Sequence, residues 1–250
     1  MQHVQKIVQE TNRYDNIIYE ICNEPGGNIG EPGCPSLEEV NQWLESLAAV
    51  IRQTETGLPN QHLISGQEAF AYTPWEQKST RSFRNFPIDV VNMHPLPNTT
   101  YGDKGYDQGV FMSKQLKLRA VRDYCLVTYP EPKPLNLDED NVASQYKDPD
   151  GWTIHRKRAW VTLLSGAHYD MIDFSIINYC ETGTPQSQRH IRSWMKYLSE
   201  YIHSIDLVNA RPNLEILRSQ PEFSLPAVMA VPGQDYTIYL ADERELDDPG

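Results

Sequence analysis

At 250 residues the chain is long enough for one large core or two small ones, and 39% hydrophobic with 22% charged residues is a globular composition, not a fibrous or disordered one. No apolar run approaches the roughly 20 residues that a membrane-spanning helix needs. A formal net charge of -12 sets the chain against nucleic acid and anionic membrane surfaces as partners.

Four cysteines, Cys22, Cys34, Cys125 and Cys180, form no Cys-x-x-Cys pair and no zinc-type spacing with the histidines. Neither a metal nor a cofactor is therefore expected. Cys22 reads as a buried strand thiol and Cys125 as a helix-packing thiol, with a Cys22–Cys34 disulfide an open alternative.

The opening, MQHVQKIVQETNRYDN, reads as the latter part of an amphipathic helix with Val4, Ile7 and Val8 on one face. It lacks the basic-then-apolar pattern of a secretory signal. Ile17 to Cys22 follows as a short β-branched and aromatic strand that stops at the corner Asn23-Glu24-Pro25. A Gly- and Pro-rich loop leads to Ser36, which with Glu39 three residues on makes a helix-starting capping box. Leu37, Val40, Leu44, Leu47 and Ile51 share one face of that helix.

Strands are expected at His62–Ser65 and Pro87–His94, with Gln67, Glu68, Tyr72 and Trp75 in the loop between them. A helix over Met112–Thr128 stops at Tyr129-Pro130. Lys133 to Asp140, KPLNLDED, is a strand ending in three acids. A helix over Trp152–Ser165 carries the basic run His155–Arg158, read as a solvated face. GAHYD, Gly166 to Asp170, precedes a strand over Met171–Ile177, and a helix spans Gln186–Ser204 with Ile191, Trp194, Met195, Leu198 and Ile202 on one stripe. Five strands alternating with helices predict βαβ units and a parallel sheet. Beyond residue 205 the alternation stops, and AVMAV and YTIYLA flank Pro232-Gly233 as short β patterns.

Two of these stretches resemble one family. A buried strand closing in Asn23-Glu24-Pro25 is similar to the fourth strand of the clan A glycoside hydrolases, the cellulase-like family 5 and its relatives. Lys133-Pro134, then apolar residues, then Glu139, is similar to the clan's seventh strand, and the spacing between the two glutamates fits three βα units. The resemblance implies a (β/α)₈ TIM-barrel type fold, incomplete here at about strands four to eight over residues 1–205. Residues 206–250 would then be a linker and the start of a small C-terminal β domain. It also implies an exported protein and a carbohydrate substrate.

Strand tips of such a barrel converge on one mouth, so two carboxylates distant in sequence can meet there. Glycoside cleavage needs one acid to protonate the departing oxygen and a second carboxylate at the anomeric carbon. The resemblance assigns Glu24 as acid/base and Glu139 as nucleophile of a retaining mechanism, with the carboxyls about 5–5.5 Å apart. Asp138 or Asp140 as nucleophile, and Glu24 as a capping carboxylate, are the competing assignments.

Asn23 would bond the sugar 2-OH or only satisfy loop backbone, and His94, at a strand tip, would touch substrate or serve structure alone. Trp75, Trp152 and Tyr169 are candidate sugar-stacking platforms, or core. Two other functional readings remain open: a catalytically incompetent or carbohydrate-binding relative, and a metal-dependent barrel enzyme built on the acids 138–140.

Overall fold

A computed structural model of the chain describes residues 1–23, 25, 32–69, 81–93, 118–140, 153–172, 176, 183–220 and 222–242, with the backbone alone at Ala120, Glu139 and Asp140. The chain folds as two compact units, Met1–Met93 with Glu131–Pro134, and His94–Pro130 with Leu135–Gly250.

The first unit begins with helix α1 (Gln2–Thr11), strand β1 (Ile18–Glu20), helix α2 (Leu37–Glu55), strand β2 (Leu63–Gly66), the single turn α3 (Arg81–Arg84) and strand β3 (Val90–Met93). β1 pairs with β2 in parallel, Ile18 opposite Leu63 and Glu20 opposite Ser65; β2 pairs with β3, Ser65 opposite Val90. α2 starts where the sequence says it should. Ser36 Oγ accepts from the Glu39 N–H at 3.3 Å, and Glu39 Oε2 accepts from the Ser36 N–H at 2.8 Å, which satisfies two donors a helix start leaves bare. Leu44, Leu47 and Ile51 of its apolar face are buried. On α1 only Val8 of the expected face is fully buried, and Ile7 lies outward. Asn12 at the end of α1 and Asn60 before β2 bond each other three times, fixing helix to strand.

The second unit holds helix α4 (Leu118–Thr128), strand β4 (Leu135–Asp140), helix α5 (Ile154–Leu164), strand β5 (His168–Met171) and helix α6 (Pro185–Ile202). β4 and β5 are parallel, Asn136 opposite His168. The last strand thus starts three residues before the sequence expectation: His168, Tyr169 and Asp170 are strand, not the loop ahead of it. α6 carries the expected stripe, with Ile191, Trp194 and Met195 packing toward Ile154 and with Leu198 and Ile202 toward Ala159 and Leu163. The basic run on α5 is a correction. Four consecutive helical residues sweep most of a turn, so they cannot share one solvated face. His155 and Arg158, three apart, are buried, and Arg156 lies outward with its guanidinium over the Trp194 ring at 5.0 Å.

A three-stranded antiparallel sheet follows: the two-residue β6 (Arg211–Pro212), then β7 (Ser224–Val231) and β8 (Asp235–Asp242), joined at Pro232-Gly233. Leu225, Ala227, Met229 and Val231 of β7 share a core with Leu118 of α4 and with Val161 and Leu164 of α5. Trp160 lies against Tyr239 and Tyr201 at ring separations of 5.9 and 5.1 Å. Pro226 faces Leu240 across the hairpin, and its carbonyl accepts from Arg122 Nη1 at 3.2 Å on the side away from β8. The described strands β1 to β5, parallel to their neighbours within each unit and separated by helices, are those of an incomplete (β/α) barrel, followed by a small antiparallel sheet.

Candidate active site

β1 aims its C-terminal end at the Asn-Glu-Pro corner. The Ile21 N–H donates to the Ser65 carbonyl at 3.2 Å, so the ladder with β2 continues one residue past Glu20. Asn23 follows in a bend, exposed, its carbonyl accepting from the Cys22 thiol at 3.3 Å. Cys22 is half-buried rather than fully buried; burial, then the Glu20 charge, pushes its thiol pKa up. Cys22 and Cys34 are both free thiols. Glu24 lies outside the described residues.

β2 ends beside β1 and leads into Gln67, Glu68 and Ala69, all buried. Asn41 of α2 grips the segment through a two-way bond with the Ala69 backbone, at 2.9 and 2.7 Å. Glu68 is fixed twice. Its N–H donates to Ser82 Oγ at 2.9 Å, and its Oε1 accepts from the Arg81 N–H at 3.0 Å. Burial raises the Glu68 carboxyl pKa, against the Arg81 N–H and guanidinium, which lower it. Gln67 Oε1 is buried with no hydrogen-bond partner among the described residues. By sequence both residues fall in a loop and carry no assigned role. The signal that marks them is positional: they follow an apolar strand at the sheet end where β1 leads into Asn23.

Behind this end, β2 is anchored by a buried pair. Glu55 Oε1 accepts from the His62 backbone N–H at 3.0 Å and from His62 Nδ1 at 2.7 Å, while His62 Nε2 donates to the Tyr14 carbonyl at 2.5 Å. A ring that donates through both nitrogens is an imidazolium, the form that these two acceptors favour. Burial opposes that charge, but the Tyr14 carbonyl, the Glu55 carboxylate and Asp15 outweigh it and raise the His62 pKa. Lys133, of the Lys-Pro pair, donates from Nζ to the Ser82 and Phe86 carbonyls at 2.9 and 2.5 Å. Burial lowers its pKa against the pull of Asp89 and Glu68.

On β4, Leu135 and Leu137 are buried and Asn136 and Asp138 half-exposed, as strand alternation predicts. Leu137 pairs with Tyr169 and Asp140 with Met171, so β4 carries one extra residue over this stretch, a bulge spanning Asp138 and Glu139. Tyr169 lies within β5, not in a loop. Its ring packs partly against Ala159, Leu163 and Leu198, and its hydroxyl bonds His155 Nδ1 at 2.8 Å.

Trp75, His94 and Trp152 fall outside the described residues, as does Cys180. Of the candidate side chains that are described, Asn23 belongs to the first unit and Tyr169 to the second. No described helix is long and apolar enough to cross a membrane.

Among curated proteins no match is found. The family model for cellulase, glycosyl hydrolase family 5, matches residues 1–127. That span covers β1 with its Asn-Glu-Pro corner, β2, β3 and all but the last residue of α4. β4 and Glu139 lie beyond it. Half of the chain thus answers to one family, and parallel strands with helices between them supply the barrel architecture: the chain belongs to glycosyl hydrolase family 5.

Proposed function

We propose that the chain hydrolyses O-glycosidic bonds of an oligo- or polysaccharide by double displacement, with Glu24 as acid/base and Glu139 as nucleophile. The observation that carries this reading is the family match across the strand that ends in Asn23-Glu24-Pro25. In the first step Glu24 gives its proton to the departing oxygen while the Glu139 carboxylate forms an ester with the anomeric carbon. In the second, water attacks that carbon, gives its proton to Glu24, and the ester bond breaks back to the carboxylate. Each group serves from a constrained place. Glu24 is flanked by a strand and a proline, and Glu139 lies in a strand bulge, a device that recurs beside active sites because it re-aims a side chain.

Asn23, His94, Trp75, Trp152 and Tyr169 bind the sugar in this reading. Asn23 is exposed at the corner and able to bond a hydroxyl. The Tyr169 hydroxyl is taken by His155, so Tyr169 would serve through its ring.

The test is hydrolysis of a panel of aryl glycosides by the full chain and by Glu24→Gln and Glu139→Gln. Loss of general acid catalysis slows turnover about 10²–10⁴-fold. Glu24→Gln should spare substrates with good leaving groups, and Glu139→Gln should abolish turnover of all. Turnover that survives Glu139→Gln, or that tracks Asp138→Asn or Asp140→Asn instead, overturns the assignment.

A further inference from the structure

At the C-terminal end of β2 the backbone is tightly held, and one buried side chain on it is not. Gly66, the last residue of the strand, has φ +149°, and a Cβ there would stand 3.0 Å from Ile21 Cγ1. The chain leaves the strand through a position that favours glycine. Gln67, Glu68 and Ala69 follow, all buried. Bonds to Ser82 and Arg81 fix Glu68, and the two-way bond with Asn41 fixes Ala69. Glu68 Oε2 makes no hydrogen bond among the described residues, but the Arg81 guanidinium stands 3.8 Å from it and offsets its charge.

Gln67 has no such compensation at its oxygen. The residue is 7% exposed, and Oε1 meets no donor among the described residues. Native proteins keep few buried acceptors in that condition, because each forfeits its bond to water and gains none in return. The place in the fold says what would complete it. In a parallel sheet flanked by helices, ligands bind beyond the carboxyl ends of the strands. β2 ends beside β1, and the last bond between them, from the Ile21 N–H to the Ser65 carbonyl, lies two residues before Gln67. A half-turn of the amide exchanges its oxygen and its NH₂ group, so this one side chain can accept from a hydroxyl or donate to it.

We propose that Gln67 is a specificity-determining residue: its amide bonds one hydroxyl of the bound sugar, and a glycoside lacking that hydroxyl is rejected. This role rests on reading the chain as a glycosidase, and it is independent of which carboxylate serves as acid. A site built to hydrogen-bond a hydroxyl discriminates strongly against the analogue without it, because the protein group is then left buried and unpaired. The bonds to Asn41, Ser82 and Arg81 hold the backbone on which the amide is presented, so the contact is organised before substrate arrives.

The experiment uses the full-length chain. Its kcat/KM is measured on p-nitrophenyl β-cellobioside and p-nitrophenyl β-mannobioside, and on analogues of the faster substrate that each lack one hydroxyl. Removing the hydroxyl that Gln67 reads should lower kcat/KM of the parent about ten- to hundredfold. Gln67→Met keeps the length of the side chain without its amide. It should lower kcat/KM on the complete substrate by a similar factor and leave that one analogue within about twofold of the parent value, the non-additivity of a direct contact. Gln67→Glu keeps an acceptor oxygen and should retain the discrimination at that hydroxyl.

Far-UV circular dichroism checks that each variant folds. Where Gln67→Met does not, Gln67→Asn, which withdraws the amide by one carbon, takes its place with the same expectation. A structural role, or an amide that holds only a water, moves every substrate by one common factor or by none. Either pattern overturns the Gln67 assignment. If the parent chain hydrolyses no aryl glycoside at all, the glycosidase reading falls, and the role of Gln67 with it. If the parent is active and Gln67→Met is coupled to no hydroxyl, only the Gln67 assignment falls.

Discussion

Replacing Glu55 by glutamine tests the buried pair that anchors β2. Both side chains are 2% exposed, and the Glu55 carboxylate meets His62 at its backbone N–H and at Nδ1. Removing one partner of a buried ion pair costs about 3–5 kcal/mol. Glutamine keeps an oxygen for the backbone N–H, so the lower end applies, about 3 kcal/mol at pH 6. With a denaturant slope of about 3 kcal/mol/M, the urea midpoint drops by about 1 M.

The pH dependence gives the sharper result. The folded His62 pKa is raised above its unfolded value, so the folded state holds the extra proton. Its contribution to stability is complete below the unfolded value of about 6.5 and is lost as pH rises through the folded value. The parent chain should therefore lose stability above pH 6.5, and Glu55→Gln should flatten that loss. His168 shifts the other way, its pKa lowered by burial, so it acts below pH 6.5 and leaves this window clear. Urea unfolding at pH 6.0, 7.0 and 8.5, followed by circular dichroism, reads both effects. Parallel pH profiles above 6.5 for parent and variant would refute the imidazolium–carboxylate assignment, and so would a loss below about 1 kcal/mol at pH 6.

Three further outcomes follow from the packing. Gly166→Ala should cost about 2 kcal/mol or more by thermal unfolding, because φ is +89° there and an added Cβ would clash with the Tyr129 ring and meet Pro212 Cγ at 2.9 Å. Leu225→Ala, at a fully buried position shared by β7, α4 and α5, should cost about 2–5 kcal/mol, and a loss under 1 kcal/mol would deny that shared core. Ser36→Ala should cost about 1 kcal/mol by removing the capping oxygen, and Ser36→Gly only a few tenths.

The elements legible in the sequence were those whose causes are local. Ser36 and Glu39 cap α2 with atoms three residues apart, and the turn at Pro232-Gly233 lies between two β patterns that pair directly. β1 is legible because Ile18 is β-branched and Tyr19 aromatic, and it ends before the bend at Asn23. What escaped depended on partners far along the chain. The sequence pattern puts the last strand too late because Met171–Ile177 is the more apolar stretch. Its pairing partner decides instead: β4 selects His168–Met171 through the register Asn136 opposite His168. The bulge at Asp138–Glu139 is invisible to alternation, since it exists only against β5. The Glu55–His62 pair joins the end of a helix to the start of a strand, and no periodicity reports it.

Pro226 and its neighbour Arg122 have a consequence for how the hairpin meets other chains. β6 spans two residues and pairs with Met229 and Ala230, so among the described residues no strand lies beside the flank of β7 nearer Ser224. A strand flank without a partner strand invites a foreign strand to add itself. At Pro226 the docking surface lacks its N–H, and the carbonyl that would receive the newcomer is already engaged by a guanidinium. The hairpin thus carries its own guard against growing into an intermolecular sheet, made from one imino acid and one cation.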